Sequence, residues 1–344
     1  MPHKTVRRLR AAGLLLAVLA ARPGIAAPVA AAARDEPSRL FGDWLAACDN
    51  GFDCMGYGFG TGDTQATLIL SRPRGAAPAM VLVLQPDRTL RPSVLRLQPA
   101  RHGPAVTVRM QSADDGMMRG GLTAGEVTAL MPFLRNGGRL LLTLPAPGGR
   151  AVPFGVIGLA GAGLALDWID ERQRHPTVSL PVPVRVAAVG GLFPDLHHVP
   201  PAVRALPAVQ ACRRQDADDP ATDTAAWRLS RTVSLWQVPC GSGNFDRAAL
   251  YVLADPAGTR ASLAGFTSLP QMAARPAGIL VNAEVAADGT GIIAVEPSRG
   301  LGDCGDVRSY RWDGTRFRLI LARLMTACHG LAVQDWPIVY RAGP

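Results

Sequence analysis

The six cysteines of this 344-residue chain are its most chemically versatile side chains, and they occur as three pairs along the sequence. Paired cysteines can form disulfides, ligate zinc or supply a nucleophilic thiolate. No C-x-x-C motif occurs, and the histidines do not alternate with the cysteines at zinc-ligand spacing. Six thiols can pair in fifteen ways, which sequence alone does not resolve. Proximity favours three disulfides: Cys48–Cys54, Cys212–Cys240 and Cys304–Cys328.

The serine and histidine residues do not complete a hydrolase motif. Ser242 lies in a Cys-Gly-Ser-Gly sequence that lacks the full G-x-S-x-G frame of a nucleophile elbow. Cys328 and His329 are adjacent, so on a strand their side chains would point to opposite faces. The pair His197 and His198 lies among prolines, where a surface position is the simpler interpretation.

Carboxylates offer two further candidates for acid–base chemistry. Asp303 and Asp306 flank a cysteine in a glycine-rich segment, where aspartate commonly caps turns. Asp167, Asp170 and Glu171 fit the solvated face of an amphipathic helix better than a metal or acid–base site. Walker, dinucleotide-binding and H-E-x-x-H motifs are missing from the sequence. We therefore predict no catalytic residue, no metal ligand and no cofactor.

The N-terminus has the features of a cleavable signal peptide. Four basic residues precede an apolar stretch from Ala11 to Ala21, which is too short to span a bilayer as a stable helix. Small residues between Ala26 and Ala33 suit signal peptidase, and we assign residues 1–27 to the leader. No later segment is long and apolar enough for a membrane span. A periplasmic location is predicted, and such a compartment favours disulfides.

The charge of the mature chain is mildly positive and carried by arginine alone. The formal charge of +9 includes five basic residues of the leader, and their removal leaves 31 basic against 27 acidic residues, or +4. Nucleic-acid sites cluster their arginines, often with aromatic residues between them. Here the arginines are scattered along the sequence, so no nucleic-acid partner is predicted.

Hydrophobic alternation and turn residues predict a mostly β fold of the α+β class. Strands are expected at 66–71, 79–84, 94–97, 106–110, 139–144, 154–159, 227–238, 250–253, 279–285, 292–295, 307–312 and 317–321. Asp-Gly turns at 288–289 and 313–314 indicate two hairpins. A capping box at Thr123 and Glu126 starts a helix that Pro132 is expected to kink or shorten. A second helix is predicted over 161–174.

The chain is too long for one ordinary core, so two domains are expected. Prolines and a Gly-Gly pair concentrate between residues 176 and 207, which indicates an ordered but irregular connector. We place an antiparallel sheet with one or two helices at 38–190, the connector at 191–204, and a small β meander or sandwich at 205–344.

An ordered set of short motifs resembles the bacterial secreted family catalogued as domain of unknown function 1176. The motifs run from about residue 40 to the end: Phe41-x-x-Trp44, Cys48-Asp49-Asn50, Ala165-Leu166-x-x-Ile169-Asp170-x-x-Gln173-Arg174, Pro239-Cys240, Arg299-Gly300-x-Gly302-Asp303-Cys304-Gly305, Trp312-Asp313-Gly314-x-x-Phe317, Cys328-x-Gly330 and Trp336-Pro337-x-x-x-Arg341. His329 replaces a usual arginine, and the run Gly243–Asp246 also departs from the family pattern. The resemblance implies an exported envelope protein and no established activity.

These observations predict a periplasmic, non-catalytic binding module that acts as a monomer on an envelope protein or ligand. Two glycine-rich loops next to cysteines are the candidate binding sites, because a fixed base lowers the cost of ordering a loop. Their polar residues are Ser242, Asn244, Asp246, Asp303 and Asp306. The alternative is a periplasmic hydrolase with its site near Gly300–Asp306 and His329.

Overall fold

The computed structural model describes residues 36–85, 91–146, 148, 150–174, 191–192, 198–215, 224–243, 246–269, 272 and 276–343. The predicted leader lies outside these residues, as do His197 and Asn244. Pro37–Pro344 forms one compact unit. No helix among the described residues is both long and apolar enough to cross a membrane.

In the first half of the unit, residues 37–174, the described residues form eleven strands and two helices. In chain order they are β1 (Ser38–Phe41), β2 (Trp44–Cys48), β3 (Cys54–Phe59), β4 (Ala66–Arg72), β5 (Ala79–Leu84), β6 (Val94–Pro99), β7 (Val106–Arg109), β8 (Gln111–Ser112), β9 (Met118–Gly121), α1 (Ala124–Asn136), β10 (Arg139–Pro145), β11 (Ala151–Gly158) and α2 (Ala162–Arg174).

The strands of the first half form two antiparallel sheets. Sheet I has seven strands in the order β1-β2-β3-β4-β5-β9-β8, and sheet II has four in the order β11-β10-β6-β7. One face of sheet I, the inner face of sheet II and both helices enclose the first core. Sheet I is covered on both faces, which explains why β4 and β5 are nearly continuous apolar runs.

The two helices of the first half begin and end for local reasons. Thr123 and Glu126 form the predicted capping box at the start of α1. The helix continues through Pro132 to Asn136, so the expected shortening does not occur. Gly161 precedes α2 with a φ of 84°, and a Cβ there would lie 1.9 Å from the carbonyl oxygen of Phe41. Only glycine fits this position.

In the second half, residues 191–343, the described residues form further strands and two shorter helices. They are β12 (Gly191–Leu192), α3 (Pro201–Ala205), α4 (Pro207–Gln215), β13 (Ala225–Arg228), β14 (Ser234–Ser242), β15 (Arg247–Ala254), β16 (Ala261–Leu263), β17 (Ile279–Val281), β18 (Ala283–Val285), β19 (Gly291–Pro297), β20 (Gly305–Trp312), β21 (Phe317–Met325) and β22 (Ile338–Arg341), with a 3-10 turn at Val333–Asp335.

Sheets III and IV of the second half pack face to face. Sheet III has the order β12-β13-β14-β15-β16 with β17 also paired to β15, and sheet IV has the order β18-β19-β20-β21-β22. Aromatic residues from both sheets fill the space between them. Helices α3 and α4 cover the other face of sheet III. Both predicted Asp-Gly hairpins are present, as β18–β19 and β20–β21.

A further apolar cluster joins the two halves. Tyr57, Phe59 and Val83 from the outer face of sheet I meet Val307 and Trp336 from the second half. The Tyr57 hydroxyl donates a hydrogen bond of 2.9 Å to the Asp335 carbonyl oxygen. A large apolar interface of this kind opposes the domain motion that is otherwise expected between two domains.

The structure confirms the predicted fold class and all three disulfides. Cys48 and Cys54 are directly opposite each other on β2 and β3. The domain limits stay predictions. The sequence predicted an irregular connector, but the structure has helices at the C-terminal end of this proline-rich segment. Pro201 and Pro207 are the first residues of these two helices. Proline is suited to that position because the first helical N–H groups have no intrahelical partner.

Candidate functional site

The loop before β20 is held in place by a buried carboxylate. Asp303 accepts hydrogen bonds from Arg299 at 2.7 Å and 2.5 Å and from the Gly330 backbone N–H at 2.7 Å. Its side chain is only 8% exposed. The hydrogen bonds from Arg299, followed by that from Gly330, hold the pKa of Asp303 below its ordinary value. The two loops that meet here are also joined by the Cys304–Cys328 disulfide.

His329 lies on the surface of the neighbouring loop and stacks on a buried aromatic ring. The imidazole and the Phe59 ring have centroids 4.0 Å apart and planes inclined by 11°. Partial burial lowers the pKa of His329, and the charge of Asp303 opposes this effect without cancelling it. The lowered pKa favours the neutral form of the imidazole.

A cleft of about 510 Å³ opens between the two halves beside these loops. One wall comes from the β3–β4 connection and the end of β5, including Thr64, Gln65 and Gln85. The other wall comes from the Arg299–Asp303 loop and from residues 328–332. The walls approach closely, since a Cβ on Gly330 would lie 2.3 Å from the Gln85 side-chain oxygen. The volume lies within the ordinary range for small-molecule sites.

Asp306 does not line this cleft. It lies on β20 and faces the space between sheets III and IV, where Arg308 donates hydrogen bonds of 2.7 Å and 3.1 Å to it. The arginine side chain is 4% exposed. Burial lowers the pKa of Arg308, but the hydrogen bonds and charge of Asp306 outweigh it and raise the pKa overall. This pair is placed to stabilise the sandwich.

The other predicted loop is only partly described. Gly243 donates a backbone hydrogen bond to the Asp246 carbonyl oxygen, and the Asp246 side chain accepts one of 3.0 Å from Asn282. Asn282 also accepts a hydrogen bond from the Arg247 N–H. Ser242 ends β14, but its side chain and Asn244 lie outside the described residues.

The side chains of the cleft are arranged to form hydrogen bonds with a ligand rather than to transfer protons. Both Asp303 oxygens accept hydrogen bonds from within the fold. No hydrogen bond joins His329 to a serine or carboxylate in the described part of the chain. Asp303 also lies near the sulfur atoms of Cys304 and Cys328. Those atoms form a disulfide, so they are not the thiolates that a metal ion would require.

The acidic face of α2 is occupied by arginines. Asp170 contacts both Arg72 and Arg135 at 2.5 Å, and Asp167 contacts Arg135 at 2.7 Å. Burial raises the pKa of Asp170, but the hydrogen bonds from Arg135 and Arg72 outweigh this and lower it. These contacts attach α2 to α1 and β4 and supply a structural role for the acidic residues.

Sequence reasoning did not identify the cleft residues of the first half. Nothing in the local pattern separates Gln65 and Gln85 from other exposed polar residues at strand ends. Leu301 carried a recognisable signal, because an apolar side chain between two glycines of a loop has no local core to enter. It is 79% exposed at the rim of the cleft.

Comparisons with known proteins assign a family. No curated protein matches the chain. A matching solved structure is the crystal structure of invasion associated protein B from Bartonella henselae, with 18% identity and a TM-score of 0.30, covering 40% of this chain and 99% of that chain. The family described as "Protein of unknown function (DUF1176)" matches residues 38–179 and 186–343. The chain belongs to this family, as the motifs indicated.

Proposed function

We propose that this protein is an exported periplasmic binding module without catalytic activity, and that the cleft beside Arg299–Asp303 holds its ligand. The observation that carries the proposal is the cleft itself, which is lined by both halves and built on a disulfide and a buried carboxylate. Preformed loops lower the entropy cost of binding.

The side chains of the cleft favour an uncharged polar ligand. Among its lining residues, the single carboxylate is paired with the single guanidinium, and the lowered pKa of His329 favours its neutral form. Thr64, Gln65 and Gln85 offer neutral donors and acceptors. Leu301 adds an exposed apolar contact at the rim. A charged ligand would find no unpaired opposite charge among these residues.

The hydrolase alternative has less support. Its acid–base pair would consist of Asp303 and His329, but the aspartate is already hydrogen-bonded to Arg299 and Gly330. A lowered aspartate pKa also makes the carboxylate a poorer base. A binding role requires neither group to exchange a proton.

Export is proposed from the leader pattern and the three disulfides, which are typical of oxidising compartments. The test is the intact mass of protein recovered from the periplasm of a producing cell. We expect cleavage between residues 26 and 33 and a mass lower by two hydrogens for each disulfide. A full-length polypeptide retained in the cytoplasm would contradict the export proposal.

The cleft is tested by screening neutral saccharides and neutral short peptides for thermal stabilisation of the purified protein. A ligand at a hundred times its dissociation constant adds about 2.7 kcal/mol to the free energy of unfolding. We expect His329→Ala and Gln85→Ala to weaken the binding of a hit about tenfold. The matched controls are His102→Ala and Gln98→Ala, both at exposed positions outside the cleft. Equal loss in cleft and control variants would refute this location.

A further inference from the structure

The outer face of sheet II is strongly basic, although the arginines appear scattered in the sequence. All four strands of this sheet come from two segments, 91–113 and 139–166, and neither segment contains an aspartate or glutamate. The same segments contain six arginines. The chain as a whole carries 27 acidic residues, so their exclusion from one entire sheet sets this surface apart.

Strand alternation places three of these arginines on the same face. Leu95, Leu97, Val106, Val108, Leu140 and Leu142 point into the first core. The residues between them therefore point outward, and Arg96, Arg109 and Arg139 are all exposed. None of the three forms an ion pair with any carboxylate that the structure describes.

The register brings Arg96 and Arg109 close together and places Arg139 further along the neighbouring strand. Arg96 is paired with Thr107, so Arg109 is its diagonal neighbour at roughly 7–8 Å between Cα atoms. Long arginine side chains at this separation can contact the same phosphate group. Arg139 lies two residues before Leu141, which is paired with Gln98 on the central strand. The three guanidinium groups thus extend across adjacent strands of one surface.

The same face also carries short apolar side chains and no aromatic ring. Leu141 is paired with Val156, and Val94 is paired with Arg109. Leu141 is 36% exposed. Single-stranded nucleic acids are bound largely through aromatic stacking, and protein interfaces are enriched in aromatic residues. The only aromatic side chain of the four strands, Phe154, packs against the core.

We propose that this face, defined by Arg96, Arg109, Arg139 and Leu141, docks the protein on an anionic phospholipid surface. The guanidinium groups would contact lipid phosphates, and the aliphatic side chains would enter the interfacial region between headgroups. A broad face roughly 15 Å across suits a membrane surface, because the charges are spread over several headgroups. The site is separate from the cleft and does not depend on it.

The test is co-sedimentation of the purified protein with large unilamellar vesicles at low salt. One preparation contains 30% phosphatidylglycerol in phosphatidylcholine, and the other contains phosphatidylcholine alone. We expect binding to the anionic vesicles only, with release in 0.5 M NaCl because salt screens exposed charges. The triple variant R96Q/R109Q/R139Q should lower the partition coefficient on the order of a hundredfold.

The matched control is R204Q/R213Q/R316Q, which removes the same charge from exposed positions of the second half. It should retain most of the binding. If the triple variant of sheet II does not fold, the single changes Arg96→Gln and Arg109→Gln should each weaken binding about fivefold. Equal loss in both triple variants would show that net charge alone is responsible, and would overturn the proposal.

A second measurement separates a lipid surface from other polyanions. Leu141→Ser should weaken vesicle binding a few-fold and leave binding to soluble heparin unchanged, because only the bilayer offers an apolar interface. Tight binding to heparin together with no binding to anionic vesicles would assign the face to a soluble polymer and overturn the lipid assignment.

Discussion

Removing the carboxylate of Asp303 should destabilise the protein in a pH-dependent way. The side chain is almost fully buried and accepts a hydrogen bond of 2.7 Å from the Gly330 N–H. A hydrogen bond to a charged group contributes about 1.5–3 kcal/mol, and Asp303→Ala leaves this donor without its partner. The contact with Arg299 adds less, because that guanidinium is substantially exposed. We expect a loss of about 2–3 kcal/mol at pH 7.

The direction of the pH dependence follows from the lowered pKa of Asp303. A carboxylate whose pKa is lower in the folded state stabilises the fold above its unfolded pKa of about 3.9. That contribution is lost as the pH falls from this value through the folded pKa. The difference in the free energy of unfolding between wild type and Asp303→Ala should therefore be largest at neutral pH and should decrease below about pH 4.

The assay is urea unfolding followed by tryptophan fluorescence at several pH values. The control is Asp167→Ala, because Asp167 is 66% exposed in its contact with Arg135 and such pairs contribute less than about 1 kcal/mol. A difference for Asp303→Ala that stays constant or grows between pH 7 and pH 3 would refute the reasoning. A neutral-pH loss no larger than that of the control would refute the magnitude.

Three further predictions use the same unfolding assay or a simple titration. Gly58→Ala should lower the free energy of unfolding by about 1–3 kcal/mol, because its Cβ would lie 2.5 Å from a buried tryptophan ring. The control Gly121→Ala meets no atom within 4 Å and should change stability little. Equal effects of the two changes would contradict the packing. Asp306→Ala should lower the free energy of unfolding by about 3–5 kcal/mol, because it leaves Arg308 buried and unpaired. Replacing both residues, as Asp306→Leu with Arg308→Met, should cost less. A loss in the double variant equal to the sum of the two single losses would count against a buried pair. The imidazole of His329 should titrate below 6.5 in an NMR titration, and a value at or above 6.5 would disprove its burial against the aromatic ring.

Local features of the fold were predictable because they depend on neighbours in the sequence. The capping box of α1 needs only Thr123 and Glu126, and the hairpin at 313–314 needs only an Asp-Gly turn between two apolar runs. The disulfide pairs follow from proximity for the same reason. The prolines around residue 201 led us to expect an irregular segment where the structure has a helix. Proline interrupts the interior of a helix, but it is favoured at the first helical position.

The cleft was not predictable because its walls are distant in the sequence. Hydrophobic alternation predicts a strand at 307–312, but it does not show which surface covers that strand. The contact of Phe59 with His329 spans most of the chain and depends on how the two halves dock. Asp303 was identified as a candidate, but its partners Arg299 and Gly330 emerged only in three dimensions.

The basic face of sheet II was also not predictable, because its charges come from segments that are distant in the sequence. Arg96, Arg109 and Arg139 look dispersed when read along the chain, yet sheet pairing brings them onto one surface. The absence of acidic residues from 91–113 and 139–166 was visible in the sequence. Its meaning depended on the finding that β6, β7, β10 and β11, which come from these two segments, pair with one another to form all of sheet II.

The amide of Asn50 exchanges two hydrogen bonds with the backbone of Arg341, at 3.0 Å and 2.8 Å. This contact links residues 291 positions apart. Because a chain is synthesised and exported from its N-terminus, the β2–β3 hairpin emerges first, and this contact forms only after β22 has followed it. A chain that stops a few residues before position 341 would lack both hydrogen bonds, and we expect proteases to cleave its β2–β3 hairpin more readily.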